Sequence, residues 1–178
     1  MKNRSVQRLV VAALFTALTC IATLAIRIPA LSTGGYINLG DSIVLAAAWI
    51  LSPAYGVLSA ALGSMLADLI AGYAMFAPAT FVIKGCMALV GGLVFRALLH
   101  IMPRKIFVRC LVSAVIAEAI MVFGYCGFEW VVLGLGPAAI AGMPGNLIQA
   151  LGGGSAAIAV YLLMQRNTTI HAYLEQLR

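Results

Sequence analysis

Six apolar runs, separated by short breaks rich in Gly, Pro or charge, organise this chain. Residues 6–26 form an unbroken run of about 20 residues, the length that crosses a bilayer as a helix. Arg27, Pro29 and the Gly34-Gly35 pair end it, and a loop containing YINLGD runs on to Gly40. A short apolar stretch, 42–51, follows; it is too short to span untilted. Ser52-Pro53 breaks it, with the proline suited to the first turn of the next helix. Further helices are expected over 54–71, 79–99, 110–128 and 144–164. The connections are a loop at 72–78 with two aromatics and a basic connector at 100–109. A mixed Gly/Pro loop at 129–143 is apolar enough to dip into the membrane. The expected fold is all-α: one transmembrane domain over residues 1–178, a six-helix bundle.

Composition points the same way. Hydrophobic residues make up 63% and charged residues 9%, against about 25% charged in an average soluble domain. So few charges cannot cover a water-facing surface, and the bilayer is the solvent that fits. The net charge of +6 does not mark a nucleic-acid binder, because the basic residues sit in short clusters between apolar runs. The four cysteines (Cys20, Cys86, Cys110 and Cys126) lie in or beside apolar runs without metal spacing and read as small packing residues. The first run is long and no A-x-A site closes it, so it reads as a helix rather than a cleaved leader.

Charge then sets orientation. Six crossings put both termini on one side. With that side cytoplasmic, Lys2, Arg4, Arg8, Arg96, Arg104, Lys105, Arg109, Arg166 and Arg178 fall at cytoplasmic ends, and only Arg27 and Lys84 toward the outside. Small residues recur at spacing four: Ala13 and Ala17; Gly56, Ala60, Ser64 and Ala67 or Asp68; Gly152 and Ala156. Such stripes let helices approach closely in lipid. They serve internal packing or, for the first helix, docking onto another membrane protein.

Ionisable groups at membrane depth are costly and mark function or pairing. Asp41, Asp68, Lys84, Glu118 and Glu129 are these groups here, all toward the outer half or the midplane, which suggests a polar pocket opening outward. Lys84 either pairs with Asp68 or contacts an electron-rich ligand atom; Glu118 pairs with Lys84 or meets a ligand. Glu118, Val122, Tyr125 and Glu129 share a helix face, as do Asn146 and Gln149. The two amides supply donors and acceptors that suit a small polar heterocycle or, equally, helix-to-helix hydrogen bonds. Trp130, Tyr36 and Tyr73 read as interfacial anchors or stacking partners. No phosphate loop, H-E-x-x-H motif or plausible Ser-His pair occurs, and His100 and His171 sit at the cytoplasmic surface, away from the buried acids. No enzyme, metal or cofactor is expected. A small membrane enzyme using Asp68, Lys84 and Glu118, and a stand-alone pore or carrier, are the competing readings.

The stretch YINLGDSIVLAAAWILSPAYGVLSAALGSMLADLIAGYAMFAPATFVIKG, residues 36–85, resembles the membrane S components of energy-coupling factor (ECF) transporters, which are bacterial vitamin importers. The NLIQALGG start of the sixth helix and the Ala13-x-x-x-Ala17 pair extend the likeness over most of the chain. The resemblance implies a six-helix multi-pass protein of the bacterial cell membrane. Its ligand would be held near the outer face by the loop after helix one and by helices four, five and six. On those elements stand Tyr36, Asn38, Lys84, Glu118, Tyr125, Asn146 and Gln149, the expected substrate-binding residues. It further implies that Ala13 and Ala17 dock onto a membrane coupling subunit, the T component, which works with two cytoplasmic ATPases. The YINLGD and APATFVIKG blocks look most like the branch associated with pyridoxine, hydroxymethylpyrimidine or riboflavin. A small pocket with one lysine and carboxylates favours a pyridine or pyrimidine over a flavin.

Overall fold

The computed structural model describes residues 4–29, 34–167 and 172; Lys2, His171 and Arg178 lie outside the described residues. Six α-helices form a bundle: α1 Arg4–Ala25, α2 Gly40–Ile50, α3 Pro53–Ala71, α4 Ala77–Ile101, α5 Ile106–Val131 and α6 Met143–Arg166. All but α2 are long and apolar enough to cross a membrane. The sequence pattern placed every helix but clipped most of their ends. Residues 27–40, expected as plain loop, hold a short antiparallel hairpin, β1 Arg27–Pro29 with β2 Tyr36–Asn38, in which Arg27 pairs with Asn38. Residues 129–143, also expected as loop, instead continue α5 for three residues and then form a 3₁₀ helix, Gly136–Gly142.

Helix α2 is the hub. At about 1.5 Å per residue it is only ~16 Å long, and it packs against α1, α3, α4 and α6. Residues 44–51 are all buried, so its hydrophobicity faces protein on every side, the signature of a core helix. Its backbone carbonyls at the C-terminal end are buried with Leu51 and need a donor. Arg96 of α4 supplies one, its guanidinium donating to the Leu51 carbonyl. Trp49 stacks near Phe95 and Tyr161 and donates Nε1–H to Ser113 Oγ at 2.8 Å; that hydroxyl donates on to the Gly91 carbonyl at 2.7 Å. The indole N–H, the Ser113 hydroxyl and the Gly91 carbonyl are thereby matched to one another. Arg109, expected as a simple cytoplasmic flank, is buried with its guanidinium over the Phe95 ring.

The small-residue stripes divide. Gly56, Ala60, Ser64, Ala67 and Asp68 are buried, so the α3 stripe is internal packing. A Cβ on neighbouring Gly63 would stand 2.6 Å from the Thr16 carbonyl oxygen of α1, which shows how closely α1 and α3 approach. In α6 the packed positions are Gly153, Gly154 and Ala157, one residue beyond the expected Gly152 and Ala156 pair. In α1, Ala12, Thr19 and Thr23 turn inward, while Ala13 and Ala17 lie on the exposed face with Leu14, Leu18 and Ile21.

Candidate functional site

The outer ends of α3, α4, α5 and α6 surround a small polar cavity, and the β1–β2 hairpin covers it. Tyr36, Asn38, Asp68, Phe76, Thr80, Tyr125, Glu129, Asn146 and Gln149 line it together with Gly35. The hairpin is held down by two side chains. The Tyr36 hydroxyl donates to Asp68 Oδ1 at 2.6 Å, and Gln149 Oε1 accepts the backbone N–H of Asn38 at 2.8 Å. Burial, and then the bond to Asp68, push the Tyr36 phenol well above its ordinary range, so it remains a donor at any physiological pH. Tyr73 packs on Tyr36 with ring centroids 4.6 Å apart. Opposite, Thr80 and Tyr125 share a hydrogen bond of 2.9 Å. The cavity measures about 30 Å³, room for about one water.

Beneath the cavity lies an ionic cluster. Lys84 is paired with Asp41, which the structure buries completely. Gln149 Nε2 donates to the other Asp41 oxygen at 2.6 Å. Asn38 Oδ1 accepts from the Gly40 N–H at 2.8 Å, capping the start of α2 just ahead of Asp41. One glutamine thus ties α6 both to the hairpin and to the buried carboxylate. Gly153 permits this approach, since a Cβ there would meet the Asp41 Cβ at 2.8 Å. Lys84 also stands 5.5 Å from the centre of the Tyr125 ring.

Of the expected site residues, Tyr36, Asn38, Tyr125, Asn146 and Gln149 come together around the cavity. Lys84 and Glu118 do not line it. Lys84 pairs with Asp41, rather than with Asp68 or Glu118 as expected, because α2 inserts between the helices and puts the Asp41 carboxylate nearest to it. Glu118 lines a separate groove of about 450 Å³ between α5 and α6, walled by residues such as Leu111, Phe123, Leu147 and Leu151. It is buried there with no hydrogen bond to either carboxyl oxygen. The shared helix face of α5 is real, but it serves two compartments, Tyr125 and Glu129 above and Glu118 and Val122 below. Tyr36, read as an interfacial anchor or stacking partner, is a structural element of the site; Trp130 is partly exposed. Gly35, Asp68, Phe76, Thr80 and Glu129 are the lining residues that the expected set left out. The two acids were visible as buried charges, but only the convergence of α3 and α5 on the cavity assigns them to it.

Comparisons with known proteins agree with this architecture. A profile of the family described as ECF-type riboflavin transporter, S component, matches residues 3–167. An uncharacterised protein of Pyrococcus woesei is 32% identical over 133 residues, 75% of this chain and 84% of that one. A solved S component of a bacterial ECF transporter superposes with a TM-score of 0.68 at 15% identity, covering 91% of this chain and 97% of that one.

Proposed function

The chain belongs to the family of ECF-type riboflavin transporter S components, integral membrane subunits of transporters and not enzymes; from that premise we propose that it captures a small vitamin-class heterocycle in the outer cavity. The observation that carries this reading is the cavity itself. It is polar, it lies at one end of an otherwise apolar bundle, and it is covered by a hairpin latched through Tyr36 and Gln149. Small-molecule sites combine such concave shape with a few convergent polar groups. A ring of vitamin size does not fit in about 30 Å³, so on this reading the cavity widens as ligand enters. Tyr36, Asn38, Tyr125, Asn146 and Gln149 are the proposed contacts, with Lys84 holding Asp41 beneath them.

Pyridoxine or hydroxymethylpyrimidine is the favoured ligand class, because the lining is tight and polar. Riboflavin is the second reading, favoured by the description of the matching family. Capture without a motor implies partners. Ala13 and Ala17 on the exposed face of α1 are proposed to dock a membrane coupling subunit that works with two ATPases. Mass spectrometry of small molecules released from the freshly purified full chain tests the capture reading. A bound pyridine, pyrimidine or flavin supports it. A protein that arrives empty, and then takes up none of these compounds in calorimetry, refutes it.

A further inference from the structure

The turn between α4 and α5 lies at the end of the bundle away from the cavity, and its charge has no internal partner. Arg104 and Lys105 are exposed, and neither side chain makes a salt bridge or hydrogen bond among the described residues. No Asp or Glu occurs between residues 69 and 117. The first turn of α5 carries no acid and no side-chain cap, so its positive end adds to the two cations instead of offsetting them. Buried Arg109 fixes the turn by donating to the Pro103 carbonyl at 3.3 Å. Ile101 and Phe107, both exposed, flank the cations with apolar bulk. Along α5, Phe107, Leu111 and Val115 follow at a spacing of four, so one exposed apolar stripe leads from the turn into the α5–α6 groove. Small buried residues, Ala114 of α5 and Gly154 of α6, hollow that groove between its larger walls. Both Glu118 carboxyl oxygens are sealed beneath its surface, so the trough itself is apolar. From Leu111 to Phe123 it runs ~18 Å along the helix.

We propose that the α4–α5 turn and the α5–α6 groove together bind one anionic phospholipid, with its phosphate at Arg104 and Lys105 and one acyl chain along the groove. The occupant follows from charge and place. In an integral membrane protein an apolar trough on the outer wall of the bundle is covered by hydrocarbon, not water. Left empty, its lining would lose dispersion contacts. A partner helix would satisfy the trough alone. The two cations at its end call for an anion that carries an apolar tail, and basic pockets between transmembrane helices hold anionic head groups in this way. A zwitterionic lipid offers the same chains but brings its own cation to Arg104 and Lys105. The site is separate from the outer cavity and does not depend on the capture reading.

The test is native mass spectrometry of the delipidated full chain in detergent. It is titrated with phosphatidylglycerol, with phosphatidylcholine of the same chains, and with glycerol 3-phosphate, which has no chains. Phosphatidylglycerol should bind about 30-fold tighter than phosphatidylcholine, the effect of two cations near an anionic head group. Glycerol 3-phosphate should not bind at concentrations that saturate with phosphatidylglycerol. Arg104→Gln with Lys105→Gln should narrow the preference to within about threefold. Ser155→Phe fills the groove from an exposed position; it should weaken both lipids and leave their ratio unchanged. The comparison of the two lipids uses unaltered protein, so it stands even where a variant folds poorly. Equal binding of the two lipids overturns the proposal, as does a preference that survives the loss of both cations. Binding of glycerol 3-phosphate as tightly as the lipid marks a site for free anions and overturns it too. A Ser155→Phe variant that binds lipid normally but no longer captures the coupling subunit gives the groove to a partner helix instead.

Discussion

Replacing Lys84 by Met tests the idea that this lysine is a structural partner of Asp41 rather than a ligand contact. The substitution keeps the length and apolar stem of the side chain and removes the charge. Asp41 is then left fully buried with one neutral donor, Gln149 Nε2 at 2.6 Å. Breaking a buried pair by removing one member costs about 3–5 kcal/mol, because the other charge stays behind uncompensated. For a domain of this size about 2–4 °C of melting temperature accompanies each kcal/mol, so Lys84→Met should melt at least about 6 °C lower. Removing both charges, Asp41→Asn with Lys84→Met, leaves no orphan and should recover most of that loss, since buried pairs replaced by uncharged groups are often neutral. The coupling from the double-mutant cycle should reach at least about 2 kcal/mol. Thermal unfolding of the detergent-solubilised full chain, followed by tryptophan fluorescence with and without ligand, reads it. Two results would refute the reasoning: a double variant as unstable as Lys84→Met, or a single variant that melts normally but loses ligand affinity.

Tyr36→Phe removes the 2.6 Å bond that latches the hairpin to Asp68. It should speed ligand release about tenfold or more in stopped-flow exchange, since bonds to charged acceptors contribute about 1.5–3 kcal/mol. Gly63→Ala places a Cβ 2.6 Å from the Thr16 carbonyl oxygen, backbone that cannot step aside. It should cost about 1–3 kcal/mol of overpacking, read as a lower melting temperature with ligand affinity per folded molecule unchanged. Ala13→Trp adds bulk on the exposed face of α1, so purified protein should bind ligand normally while uptake in cells carrying the coupling subunit and ATPases fails. Normal uptake would remove the docking role of that face.

The bundle was legible because its causes are local. An apolar run of spanning length, ended by Pro, Gly or a basic cluster, has few alternatives to a helix in lipid. Asn146 and Gln149 could be paired from helical spacing alone, and the buried charges Asp41, Asp68, Lys84, Glu118 and Glu129 stood out against their apolar surroundings. Which of those charges meet could not be read in the same way. Asp41 and Lys84 are 43 residues apart, and they pair because α2, short and apolar on every side, sits in the centre of the bundle. Spacing on α5 likewise put Glu118 and Tyr125 on one face, but the crossing of α6 separates that face into an outer cavity and a lower groove. The hairpin gave no periodic signal, being two three-residue strands. The sequence by itself determined the membrane, the helices and the list of costly polar groups, because those depend on the length and polarity of each segment. Only the tertiary structure decided that Lys84 belongs to Asp41 and that Asp68 faces the cavity, because a buried charge takes whichever partner the packing of distant helices brings within reach.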